Sequence, residues 1–178
     1  ALAIVAEGAV DLGQSQYPDL AIGARLLQPG AIAPNLSGRD VRLALVLNGA
    51  ISTPAVAYEM SAQSIGIAAR TLENFRASGA ARVDADRIVV PVAATMSRIT
   101  GLPDAVGGLL TNVRINGDLL IEGTNLLSDN LRVRSDRADA VLAIAFDLSR
   151  GTYNVGIQGR VSDYLVQSIG VFDISSDF

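Results

Sequence analysis

The chain has 178 residues and a net charge of −4, and it contains no lysine, histidine, cysteine or tryptophan, so its 14 basic residues are all arginines. An ordinary zinc site, a Ser-His-Asp triad, thiol chemistry, a P-loop and a Schiff-base lysine are therefore excluded. The acidic balance also argues against nucleic acid as a partner, because binding to phosphates requires a basic surface.

Apolar residues alternate with polar ones in many segments, and Gly, Pro, Asn and Asp separate these segments. A period of two is typical of β-strands joined by hairpins, and about a dozen such strands fit in the chain. We expect the apolar positions of the clearest segments to line one surface: Leu43, Leu45, Leu47, Val90, Val92, Val113, Ile115, Leu119, Ile121, Leu142, Ile144, Phe146, Val155 and Ile157.

Helix signals are weak. Residues 102–110 favour one short helical turn, with Pro103 suited to its first position and two glycines opposing its extension. Residues 26–40 hold two prolines and two glycines, which predicts a connection.

The clearest alternation is in TNVRINGDLLIEGT, residues 111–124. At roughly 3.3 Å per residue this segment spans on the order of 40 Å, which is long for a strand in a small domain. Its apolar strip must be covered either by protein, as in an ordinary core, or by a ligand.

The composition favours a ligand that is flexible and aliphatic. Aromatic residues are only 4% of the chain and mean hydropathy is +0.36. A sandwich core of this size commonly has more aromatic anchors. The prediction is an all-β fold: one domain, residues 1–178, formed by a long, curved antiparallel sheet with little helix.

The charged clusters have ordinary explanations. Asp84 and Asp86 in VDADRI are predicted to form a hairpin turn rather than a calcium or catalytic site. Arg132, Arg134 and Arg137 are predicted to face away from the apolar strip, on a solvated surface. Contact of these arginines with anionic lipid head groups is the alternative. We therefore predict no catalytic residue, no metal and no cofactor.

Three stretches carry a resemblance to a known family: DLSRGTY at residues 147–153, which continues into NVGIQGRVSDYLV, LSDNLRVRSD at residues 127–136, and LLQPGAIAPNLSGRDVRL at residues 26–43. They resemble the TamB and YdbH group of AsmA-like proteins. The resemblance implies a U-shaped β-groove that is anchored to the inner membrane of a Gram-negative bacterium and crosses the periplasm. It also implies phospholipid transport to the outer membrane. For TamB-type members it implies an Omp85-type outer-membrane barrel as a partner and a role in outer-membrane protein assembly.

Two hypotheses follow for the function. The first is that the chain is a segment of a longer periplasmic protein, a passive conduit whose apolar groove shields the acyl chains of phospholipids. The alternative is a structural β-sandwich domain of an envelope or surface protein, in which the apolar face is a closed core. A carbohydrate-processing enzyme ranks third, because few aromatic residues are present for stacking on sugars.

Overall fold

The computed structural model describes residues 1–31, 35–84, 86–102, 109–147, 149–150, 152–166 and 170–176. Over these residues the chain forms one sheet of twelve strands, and the only helical element is a 3-10 turn, Pro29–Ala31. In chain order the strands are β1 (Leu2–Glu7), β2 (Gln16–Leu26), β3 (Leu36–Arg39), β4 (Val41–Ala50), β5 (Ala55–Ile67), β6 (Arg70–Asp84), β7 (Arg87–Thr100), β8 (Thr111–Glu122), β9 (Asn125–Arg134), β10 (Ala138–Asp147), β11 (Thr152–Val166) and β12 (Gly170–Ser176).

Strands that follow one another along the chain lie side by side in the sheet, with one exception. The order is β1-β2-β4-β5-β6-β7-β8-β9-β10-β11-β12, and β3 pairs with β5 outside this path. All the pairings are antiparallel. The predicted fold class is confirmed: the protein is all-β, a long antiparallel sheet of about a dozen strands with little helix. The sheet is open, which is consistent with the predicted curved groove.

The segment of residues 26–40 is more than the predicted connection, because it contains the short strand β3. β4 pairs with β5 only from Ala55 to Ser61. β5 continues to Ile67, and β3 pairs with the part from Ser64 to Ile67. A strand edge that would otherwise be unpaired thus gains a partner, a requirement that the local sequence does not reveal.

The hairpin between β6 and β7 contains the acidic pair that was assigned to a turn. Asp84 ends β6 opposite Arg87, the first residue of β7, and Asp86 lies in the turn. The prediction of a turn is confirmed. The helical turn predicted at residues 102–110 falls largely on residues 103–108, which lie outside the described residues.

A band of backbone irregularities, here called the crease, crosses the sheet. Between β6 and β7 the pairing pauses around Gly79 and Pro91, and Pro91 has no N–H with which to continue the ladder. The pairing is regular beside the pause, where Val89 on β7 stands opposite Arg82 on β6 and opposite Leu120 on β8. The pairing shifts or pauses between Tyr17 and Leu20, Ser78 and Arg82, Val89 and Ala93, Asn116 and Leu120, and Leu142 and Ile144. Such irregularities bend strands and increase their twist, so the crease lets long strands curve.

The buried side chains all lie on one face of the sheet. Directly paired residues of antiparallel strands point to the same side, and so do alternate residues of one strand. The pairings therefore place on a single face the buried residues Val41, Ala62, Ala81, Ala94, Met96, Val113 and Leu131. No polar or charged residue is buried in the described part of the chain.

Candidate functional site

The apolar face, here called the aliphatic face, carries a row of apolar residues across ten strands. Each residue of the row stands opposite the next one in the neighbouring strand. In sheet order the row is Ile4, Ala24, Leu43, Met60, Ala77, Ala94, Ile115, Val133, Ala140 and Gly159. Since neighbouring strands lie about 4.8 Å apart, the row is about 40 Å long. Apolar surface thus continues across the strands as well as along them.

All the residues predicted to line the groove share the aliphatic face. For example, Val90 stands opposite Leu119. Val113 is buried, with 1% of its surface exposed, whereas Val155 and Ile157 are 42% and 49% exposed. The remaining predicted residues are half-buried. The face is therefore best shielded near the middle of the sheet and more open at β11.

All twelve described strands belong to one sheet, so the described residues contain no second sheet that could cover the aliphatic face. The substantial contacts between elements join neighbouring strands of the sheet, apart from those that β3 makes with β5 and with the 3-10 turn. Within the described residues, the atoms that shield this face therefore belong to the same sheet or to its connecting segments. A contiguous, partly exposed apolar surface of this kind is typical of a binding site for an apolar partner.

A tyrosine bridges the crease on the aliphatic face. Tyr58 on β5 lies over Gly79 on β6, so a Cβ atom added to Gly79 would come within 2.7 Å of the tyrosine ring. The Tyr58 hydroxyl donates a hydrogen bond of 2.7 Å to the carbonyl oxygen of Pro91 on β7. Burial raises the pKa of Tyr58. The side chain thus ties three strands together without placing a charge on the aliphatic face.

The alternation of apolar and polar residues does not identify the members of this face on β5 and β6. On β5 they include Val56, Tyr58 and Met60, and on β6 they include Ala77 and Gly79. Small residues stand on both faces of these strands, so hydrophobicity hardly alternates and the pattern cannot assign the faces. The pairing of β5 with β4 and of β6 with β7 is what assigns these residues to the aliphatic face.

The opposite face, here called the arginine face, carries a cross-strand row of its own. In sheet order this row is Ala3, Arg25, Arg42, Ser61, Arg76, Thr95, Arg114, Arg134, Asp139 and Arg160. It holds six of the 14 arginines of the chain. A trough of about 970 Å³ lies on the same face, across β1 to β8.

Carboxylates neutralise both ends of the arginine row. Asp139 accepts hydrogen bonds of 2.9 and 2.7 Å from Arg132 and one of 3.3 Å from Arg134. The hydrogen bond from Arg132 is the main reason that the pKa of Asp139 is lowered. At the other end, Asp40 pairs with Arg25 and Arg42, at 3.3 and 2.8 Å. The predicted outward direction of Arg132 and Arg134 agrees with their place on this face.

Comparisons of the chain with family models, with curated proteins and with solved structures give no match. Within the described part of the chain, no helix has the length and hydropathy needed to cross a membrane. No group of three or more acidic side chains converges there as a metal site would require.

Proposed function

We propose that the protein is a segment of a periplasmic lipid conduit, in which the aliphatic face binds the acyl chains of phospholipids between the inner and outer membranes. The observation that carries this proposal is the apolar row across ten strands, which lies on a half-exposed face. Over the described residues every strand belongs to this one sheet. An acyl chain suits such a surface because it is aliphatic, flexible and free of polar groups.

The energetics of the aliphatic face suit transport. Removing an acyl chain from water contributes about 0.8 kcal/mol for each buried CH₂ group, so two tails can be held firmly. The contacts come from many similar Ala, Val, Ile and Leu side chains, and none of them dominates. A bound tail can therefore slide along the face, and the process needs no catalytic residue and no cofactor.

The resemblance to the TamB and YdbH group supports the wider setting. In this setting the chain belongs to an inner-membrane-anchored protein of a Gram-negative bacterium and works as a passive conduit. Contact with an Omp85-type outer-membrane barrel through the full-length protein, and a role in outer-membrane protein assembly, belong to the same proposal. These parts rest on the resemblance alone.

Photo-crosslinking at adjacent residues on opposite faces tests the proposal. Leu45 lies on the aliphatic face, and Val46 lies on the other face and is 40% exposed. Both are aliphatic, so they differ in face rather than in hydrophobicity. A photoreactive amino acid at position 45 should capture phospholipid in bacterial membranes, whereas one at position 46 should not. Equal capture at both positions would contradict the proposal.

Native mass spectrometry of the gently purified chain provides a second readout. The proposal expects bound phospholipid that harsh delipidation removes. A chain that carries no lipid and resists hydrophobic dyes would favour the alternative, a structural domain with a closed core.

A further inference from the structure

The trough on the arginine face has the charge of an anion site. Among the described residues, four arginines line it, namely Arg25, Arg42, Arg76 and Arg114, and Glu59 is the one acidic lining residue. The whole chain carries a net charge of −4, so this concentration of positive charge is local. The rest of the lining is mostly small residues and backbone, which lets a ligand approach closely.

Within the described residues, two of these arginines have no ion-pair partner. Asp40 pairs with Arg25 and Arg42, but no carboxylate of the described residues forms an ion pair with Arg76 or Arg114. Arg114 also stands directly opposite Arg134. Like charges in directly opposite positions destabilise a sheet. Asp139 already offsets the charge of Arg134, and an anion bound beside Arg114 would offset the charge of Arg114.

Arg76 and Arg114 flank a hydroxyl group. Thr95 on β7 stands opposite Arg76 on one side and opposite Arg114 on the other. Two strand spacings put the arginine Cα atoms about 10 Å apart, a gap that two long side chains can close on one ion. Ser78 and Asn116 stand in the next cross-strand row, and both line the trough. Within the described residues, none of these three polar side chains makes a hydrogen bond.

We infer that Arg76, Thr95 and Arg114 bind the phosphate group of an organic phosphate ester. A carboxylate is planar, and one arginine can satisfy it, whereas a tetrahedral phosphate can present separate oxygens to a guanidinium on each side and to a hydroxyl between them. The trough volume of about 970 Å³ exceeds the need of the phosphate alone and matches the upper range of small-molecule sites. Ala44 and Ala93 offer an apolar floor for the organic part.

This inference is independent of the proposed function, because the site and the aliphatic face are on opposite sides of the sheet. The phosphate can belong to a soluble ester or to a lipid head group. Glycerol 3-phosphate tests the first source, and phosphatidylglycerol vesicles, compared with phosphatidylcholine vesicles, test the second.

The test uses the intact chain and two variants of it, one double variant and one control. The double variant Arg76→Gln with Arg114→Gln should bind the phosphate ligand at least about tenfold more weakly than the wild type, because it loses two charge-assisted contacts. Arg82→Gln is the matched control: Arg82 lies on β6 and on the same face as Arg76, but outside the trough. Its affinity should stay within about twofold of the wild type. Calorimetry measures the soluble ester, and flotation measures the vesicles.

Each outcome has a definite meaning. Arginine-dependent binding of glycerol 3-phosphate assigns a soluble ester, and the same dependence with phosphatidylglycerol vesicles alone assigns a lipid head group. Failure of the wild type to bind either ligand would overturn the inference. So would an Arg82→Gln variant that loses as much affinity as the double variant, since binding would then follow overall charge. Circular dichroism of all variants confirms that they fold.

Discussion

The hydroxyl of Tyr58 reaches over the intervening strand β6 and donates a 2.7 Å hydrogen bond to the carbonyl oxygen of Pro91. Gly79 is the residue beneath it. The ladder between β6 and β7 pauses at this point, so the tyrosine replaces part of the lost pairing with a side-chain bond. Where the crease crosses β5 to β7, it thus contains a specific arrangement of a tyrosine, a glycine and a proline.

Gly79→Ala should destabilise the protein. An added Cβ atom would overlap the Pro91 carbonyl oxygen and press on the Tyr58 ring. Overpacking of this kind costs about 1–3 kcal/mol of unfolding free energy. Gly23→Ala is the control, because its nearest neighbour would be the Val5 oxygen at 3.9 Å. Urea unfolding should show a lower midpoint for Gly79→Ala only, and equal midpoints would refute this account of the crease.

Tyr58→Phe should lower the unfolding free energy by about 0.5–1.5 kcal/mol, the usual net contribution of one hydrogen bond. The wild type should also lose stability at alkaline pH. Burial raises the pKa of Tyr58, so the unfolded chain releases this proton at a lower pH than the folded chain. The contribution of this raised pKa to the unfolding free energy is complete below the ordinary tyrosine pKa of about 10. It is lost as pH rises through the pKa that Tyr58 has in the folded protein. Melting temperatures at increasing pH should fall less in Tyr58→Phe than in the wild type.

Asp139→Asn should reduce the loss of stability in acid. The hydrogen bond from Arg132 lowers the pKa of Asp139, so this carboxylate stabilises the fold above the ordinary aspartate pKa of about 3.9. That stabilisation disappears as pH falls through the lower, folded value. The pKa of Asp147 is also lowered, mainly by the Ser149 hydroxyl, so Asp147→Asn should act in the same direction. Melting temperatures of a variant that carries both Asp139→Asn and Asp147→Asn, measured from neutral to acidic pH, check this. A loss of stability in acid as large as that of the wild type would contradict it.

The sequence was sufficient to assign faces where large aliphatic residues alternate with polar ones. In β4 and β8, Leu43 and Ile115 alternate with residues such as Arg42 and Arg114, so the apolar surface and the strand character of both segments follow from the pattern. In β5 and β6 the small residues of both faces conceal the same surface. Strand β3 pairs with the part of β5 that β4 does not reach, and no pattern in its own sequence shows that this edge needs a partner.

The cross-strand rows could not be predicted, because they depend on register. Arg76 and Arg114 belong to different hairpins, and their place on either side of Thr95 follows from two pairings. A register shift of one residue in either pairing would move an arginine to the other face.

A charge introduced on the aliphatic face should destabilise the protein to a degree that depends on how deeply the substituted residue is buried. Val113 and Ile115 lie two residues apart on β8 and share this face, but Val113 is 1% exposed and Ile115 is half-buried. Val113→Asp should unfold the protein, because an unpaired buried charge costs several kcal/mol of a total stability of about 5–15 kcal/mol. Ile115→Asp and Leu119→Arg should fold with a modest loss of stability, since their charges can reach water.

Circular dichroism and urea unfolding measure this difference, and native mass spectrometry should show that the folded Ile115→Asp variant has lost phospholipid. If Ile115→Asp unfolds as completely as Val113→Asp, the face is a closed core; if it folds and retains lipid, the tails bind elsewhere.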